Sequence, residues 1–242
     1  MRMRTRSLSL AALALVVGGG AASAQVTDQP GGGAFKWYLG GQGGTYIFRT
    51  PAQDESAMPM VGAHLMVTAR RTAVLLGYEH GLGNDEVSQF TLLPTSTSPG
   101  ATQTVLFQDL QKYHAAVMAF PFKGHVQPYV GLGFGILTVN GVRPVPSAGD
   151  PGSEEQLVRL AKSSGTAGVV GLLAGLQFRL GPFAAFGQYT INNVPQIKFD
   201  VSADGETTNV RTNLLKSPLH TFTGGLRISL GSAREDVTGG GY

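Results

Sequence analysis

Cysteine is absent from the 242 residues. No disulfide framework can hold this chain, and thiolate metal sites and a cysteine nucleophile are excluded. Charge is sparse as well: only 14% of the residues are Asp, Glu, Lys or Arg, and tryptophan occurs once. No apolar stretch reaches about 18 residues, the length a helix needs to cross a bilayer. A helical membrane protein and an ordinary charged soluble surface are both disfavoured. Glycine, by contrast, is abundant, with 35 residues.

The first residues, "MRMRTRSLSLAALALVVGGGAASAQ", carry Arg2, Arg4 and Arg6, then an apolar run from Leu8 to Val17, then Ala22, Ser23 and Ala24. Basic, apolar and small-residue regions in that order predict a secretory signal peptide over residues 1–24, cleaved before Gln25. Loss of those three arginines takes the 18 Lys and Arg down to 15, equal to the 15 Asp and Glu. No nucleic-acid partner is expected of a balanced chain. Residues 25–33 read as a flexible lead-in and residues 231–242 as a C-terminal tail. Residues 34–230 remain as one domain.

The stretch "QPYVGLGFGILTVN" has glycine at 131, 133 and 135. A phosphate-cradling loop needs G-x-G-x-x-G opening a helix, whereas the spacing here is strictly two. Alternate residues of a strand point to opposite faces, so Val130, Leu132, Phe134 and Ile136 share one face and the three glycines share the other. Seven more period-two segments bounded by turn residues bring the total to eight. They run near 34–48, 58–69, 72–81, 105–120, 126–139, 166–178, 183–199 and 217–230. Three connections are short, at "RR", "PFKGH" and "RLGP", and four are longer. That alternation predicts an up-and-down antiparallel meander, which eight strands can close without an exposed edge.

Which face is apolar distinguishes a soluble barrel, oily inside, from a membrane barrel, oily outside. In "LHTFTGGLRISLG", Phe222, Leu226 and Ile228 lie opposite Thr221, Thr223 and Arg227. The first strand sets Trp37, Leu39 and Ile47 against Lys36, Tyr38, Gln42 and Tyr46. The expectation is an all-β, eight-stranded antiparallel up-and-down transmembrane β-barrel, with Val130, Leu132, Phe134, Ile136, Phe222, Leu226 and Ile228 facing lipid. Its polar face lines the lumen, and the small glycine side chains make room there for larger neighbours. Aromatic girdles are expected at both rims: Phe35, Trp37, Phe122, Phe178 and Phe183 near the short turns, and Tyr46, Phe48, Tyr78, Phe107 and Tyr189 near the long loops.

With those faces placed, "KWYLGGQGG", "QPYVGLGFG", "GLLAGLQFRLG" and "HTFTGGLRISLG" are each similar to strands of the eight-stranded outer-membrane β-barrel family that includes the OmpA membrane domain and OmpX. The resemblance covers nearly the whole chain after residue 24. It implies a monomer surrounded by outer-membrane lipid, inserted by the barrel-assembly machinery and having no cofactor. Members commonly end on an aromatic residue closing the last strand. Here that strand ends near Leu230, and the tail finishes on Tyr242.

The lumen network is expected to comprise Lys36, Glu79, Lys112, His114, Gln188 and Arg227, with Gln127 and Gln177 beside it. Counted from their short turns, Glu79 and Lys112 reach comparable heights on neighbouring strands, so they should form an ion pair. Lys36 and Arg227 would need a carboxylate or water between them. The histidines show no H-E-x-x-H spacing and no G-x-S-x-G elbow occurs, so neither a catalytic nor a metal site is expected. His64 and His114 read as lumen fillers. The role implied is structural or surface-interacting. The alternatives are a small passive pore, a soluble lipophile-binding barrel and a lipid-modifying barrel enzyme.

Overall fold

The computed structural model describes residues 35–91, 102–122, 124–145, 165–193, 196–203, 206–212 and 214–233. The expected signal peptide, the lead-in and residues 234–242 of the tail lie outside the described residues. The strands are β1 (Phe35–Phe48), β2 (Ser56–Ala69), β3 (Thr72–Thr91), β4 (Thr102–Ala119), β5 (Val126–Asn140) and β6 (Arg143–Pro144), followed by β7 (Gly165–Leu180), β8 (Phe183–Asn192), β9 (Ile197–Ala203), β10 (Glu206–Thr212) and β11 (Leu219–Ala233). Antiparallel pairing runs β1-β2-β3-β4-β5-β7-β8-β11 and returns to β1, from Phe35 opposite Ala233 to Ile47 opposite His220. Eight strands therefore close on themselves. Closure removes the free edges that a sheet would otherwise present.

Three short connections join β2 to β3, β4 to β5 and β7 to β8, and the start of β1 and the end of β11 lie on that same side. The other end carries additions that the period-two pattern did not reveal. β3 and β4 continue as a hairpin from Glu86 opposite Phe107 to Thr91 opposite Thr102, and β6 pairs with the other edge of β4 at Val105 and Leu106. β9 and β10 form a second hairpin, which joins β7 through Gly165 and Thr166. The seventh barrel strand was expected to reach residue 199 but stops at Asn192, and β9 begins only at Ile197. Pro195 lies between them, and a residue without an N–H cannot continue a ladder bonded on both sides. The prolines within strands obey the same rule: Pro59 pairs only with Thr45 of β1, and Pro128 only with Leu176 of β7.

The exterior is apolar on every barrel strand. Leu39, Val61, Leu76, Val117, Leu172, Phe183 and Leu230 point outward, as do Val130, Leu132, Phe134, Ile136, Phe222, Leu226 and Ile228, with Phe134 61% and Leu226 60% exposed. A soluble monomer tolerates only a few hundred square ångströms of such surface in one patch, whereas here it circles the molecule. That excludes the soluble lipophile-binding barrel. The fold is an all-β, eight-stranded transmembrane barrel with its oily face outward.

Candidate functional site

The interior departs from the expectation of a polar lumen. Its long-loop end holds a buried apolar cluster that includes Phe48, Met58, Met60, Phe107, Leu137 and Leu215, and its short-turn end holds another with Tyr38, Met66, Leu75, Met118, Phe120 and Leu173. Tyr46, Phe48 and Phe107, expected in the girdle near the long loops, belong to the first cluster and are fully buried. An aromatic at that height serves either face. Only the parity of its strand decides, and the even-numbered residues of β1 face inward. Near the long loops Tyr78, Tyr113, Tyr189 and Phe222 lie outside instead, with Tyr78 against Tyr113 and Tyr189 against Phe222, ring centroids 4.9 Å apart in each pair. Trp37, Phe122, Phe178 and Phe183 are exposed near the short turns.

Between the apolar clusters lies a polar belt with two centres. Glu79 of β3 is registered opposite Lys112 of β4, and Lys112 Nζ lies 2.6 Å from Glu79 Oε2. The Tyr46 hydroxyl donates to the same oxygen at 2.8 Å, and Gln42 Nε2 donates to Oε1 at 2.9 Å. His114 Nε2 lies 3.9 Å from Oε1. Gln42 belongs to β1, two strands from β3, and Gly62 of the intervening strand is registered between them. Absence of a side chain there lets the carboxamide reach over β2. A desolvated carboxylate is thereby met by a cation and two further donors, the condition under which a buried charge is tolerated.

Arg227 of β11 forms the second centre and is fully buried. Its Nε donates to His64 Nε2 at 2.9 Å, and a terminal nitrogen donates to Gln177 Oε1 at 2.6 Å. The guanidinium carbon lies 3.9 Å from the centroid of the Phe186 ring and 5.8 Å from that of Tyr129. No carboxylate is among its partners in the described residues, so two neutral acceptors and two aromatic rings carry the cation. The Tyr129 hydroxyl donates to Gln188 Oε1 at 3.2 Å, and Gln188 Nε2 donates to Thr190 Oγ1, also at 3.2 Å.

Lys36 was expected to join this network but does not. It is half-buried opposite Thr68 and Ser232, at the short-turn rim, whereas Arg227 is registered opposite Gly40. The Lys36 side chain makes no hydrogen bond or ion pair among the described residues. Conversely, His64, Gln42, Tyr129 and Phe186 are integral to the belt. Their inward parity was readable from the sequence; which partners they would meet was not, because that depends on register.

Register also explains the glycines. One row of paired residues reads Arg227, Gly40, His64, Gly77, His114, Gly135 across six neighbouring strands. Each imidazole is flanked by glycines, and a Cβ added at Gly77 would collide with the His114 ring as one at Gly40 would with His64. Tyr129 lies over Gly175 and Phe186 over Gly225 in the same manner. The Gly131, Gly133 and Gly135 face looks into the lumen, where Leu173, Ala116 and His114 occupy the space. Glycine opposite a large side chain lets a narrow barrel fill at native packing density.

The long-loop mouth is also covered. Ser88 Oγ donates to the Leu214 carbonyl at 2.9 Å, Lys216 N donates to the Arg49 carbonyl at 2.7 Å, and Arg49 N donates to Ser217 Oγ at 2.9 Å. The segment before β11 is thus tied to β3 and to the chain leaving β1, with Leu214 and Leu215 buried beneath. Among the described residues no three His, Asp or Glu side chains converge as a metal would require.

No family model and no curated protein sequence matches the chain. Among solved structures it is similar to Neisserial surface protein A, with 12% identity over 79% of this chain and 96% of that one, at a TM-score of 0.48. It also aligns with the outer membrane protease OmpT from Escherichia coli, with 7% identity over 81% of this chain and 95% of that one, at a TM-score of 0.32. Likenesses this weak carry no weight for function, and the barrel stands on its own strand pairing.

Proposed function

We propose that this chain is an outer-membrane barrel with a structural or surface-interaction role and a lumen closed to conduction. The arrangement of the interior supports it most: a polar belt built on the Glu79–Lys112 pair and the buried Arg227 lies between two buried apolar clusters, within a wall whose outer side is oily on all eight strands. Opening a path would require displacing both clusters as well as breaking the Glu79–Lys112 pair. Specificity then resides in the segments at the long-loop end, since loops on a rigid scaffold are where recognition sits. The chain is exported by its signal peptide, inserted by the barrel-assembly machinery, surrounded by outer-membrane lipid and monomeric. It is not an enzyme and takes no cofactor or nucleic acid.

Cell fractionation followed by electrophoresis with and without boiling tests the location: a folded barrel sediments with outer membranes and migrates differently before heating. Planar-bilayer recording tests the closed lumen. The chain and its Glu79→Ala variant should both give negligible conductance, and discrete steps in either would refute closure. A changed lipid profile in expressing cells would refute the non-enzymatic role.

A further inference from the structure

The oily outer wall is not uniform. A depression of about 580 Å³ crosses β4, β5, β7 and β8, lined by Ala119, Val130, Leu132, Leu172, Ala174 and Tyr189 among others. Its course follows one row of paired residues: Thr72 opposite Ala119, Ala119 opposite Val130, Val130 opposite Ala174, and Ala174 opposite Tyr189. Thr72 begins β3 at a tight turn, whereas Tyr189 lies well inside β8. Strands of such barrels tilt by about 35–45°, so a row perpendicular to them climbs as it passes round the wall. The groove therefore starts at the short-turn rim and rises into the apolar band.

Arg70 and Arg71, both exposed, stand at the rim end immediately before Thr72. Arg70 has φ of 52°, in the left-handed region. Glycine or asparagine is the usual occupant there, and a bulky side chain raises the backbone energy. An arginine at a position suited to glycine, beside a second arginine and at the entrance of an apolar groove, combines cationic and oily chemistry in one place.

We propose that this groove holds an acyl chain of an anionic glycerophospholipid from the leaflet on the short-turn side, with its phosphate against Arg70 and Arg71. The site rests on the membrane reading above. It differs from ordinary lipid contact in being confined to one side of the wall and in selecting by headgroup charge. Guanidinium forks suit phosphate oxygens, and each basic residue near an anionic lipid surface contributes about fivefold in affinity.

The test uses the chain refolded into vesicles of phosphatidylethanolamine with a minority of phosphatidylglycerol whose acyl chain bears a diazirine. After illumination, the label should concentrate on the outward residues of β4, β5, β7 and β8. Arg70→Gly with Arg71→Ser should lower it by about fivefold per arginine without loss of stability, because glycine suits that φ. Ala174→Trp should fill the groove and displace the label. The same probe on phosphatidylcholine should favour no side of the wall. Even labelling of all eight strands, labelling indifferent to both sets of variants, or a barrel-to-barrel crosslink through the groove would overturn the site alone. Absence of label on every face would overturn the membrane reading as well.

Discussion

Removing one partner of the Glu79–Lys112 pair is the sharpest way to perturb the belt. Lys112→Met deletes the ammonium 2.6 Å from Glu79 Oε2, leaving a buried carboxylate with only the Tyr46 and Gln42 donors. Stranding a buried charge in this way costs about 3–5 kcal/mol. Glu79→Leu strands the ammonium instead, with the Tyr46 ring centroid 5.8 Å away, and should cost a similar amount. The double variant buries neither charge. Its remaining penalty is the lost acceptor for Tyr46 and Gln42, about 1–3 kcal/mol for each unsatisfied group. The two single costs should therefore exceed the double by about 2 kcal/mol or more, a coupling that only residues in contact show. Urea unfolding from vesicles measures it through Trp37, the single tryptophan, which is 40% exposed on the outer face near the short turns. Additive costs, or singles costing under about 1 kcal/mol as exposed ion pairs do, would refute the reasoning.

Two further expectations use the same unfolding assay. Gly77→Ala forces a methyl group into the His114 ring and should cost about 1–3 kcal/mol, whereas Gly41→Ala, on the outer face with nothing within 4 Å, should not destabilise; equal costs would contradict the glycine argument. Phe186→Leu removes the ring face 3.9 Å from the Arg227 guanidinium and should cost about 2 kcal/mol, falling below about 1 kcal/mol once Arg227→Met has removed the cation; an unchanged cost in that background would show that the ring does not support the charge.

The wall of the barrel was legible in the sequence because period two assigns every residue to a face once a single strand is oriented. Leu132, Phe134, Leu226 and Ile228 lie where alternation puts them. Glu79 and Lys112 could be matched because both lie on one hairpin and can be counted from its ends. Contacts around Arg227 could not, since Gln177, His64 and Phe186 come from three other strands whose relative heights depend on closure. Tyr46, Phe48 and Phe107 were misplaced for a different reason: the transfer energy of an aromatic ring does not distinguish an acyl chain from a dry protein core. The β9–β10 hairpin lies in a stretch of polar and β-branched residues that resembles any loop. Its ladder is recognisable only from pairing.

The absence of cysteine makes a scan of single spin-labelled cysteines along residues 221–230 unambiguous. Collision with oxygen, which partitions into acyl chains, should rise at Phe222, Leu226, Ile228 and Leu230 and fall at Thr221, Thr223 and Arg227, with a period of two. Protection of Leu226 and Ile228 together with aqueous-reagent access at Thr223 and Arg227 would contradict a barrel whose oily face meets lipid.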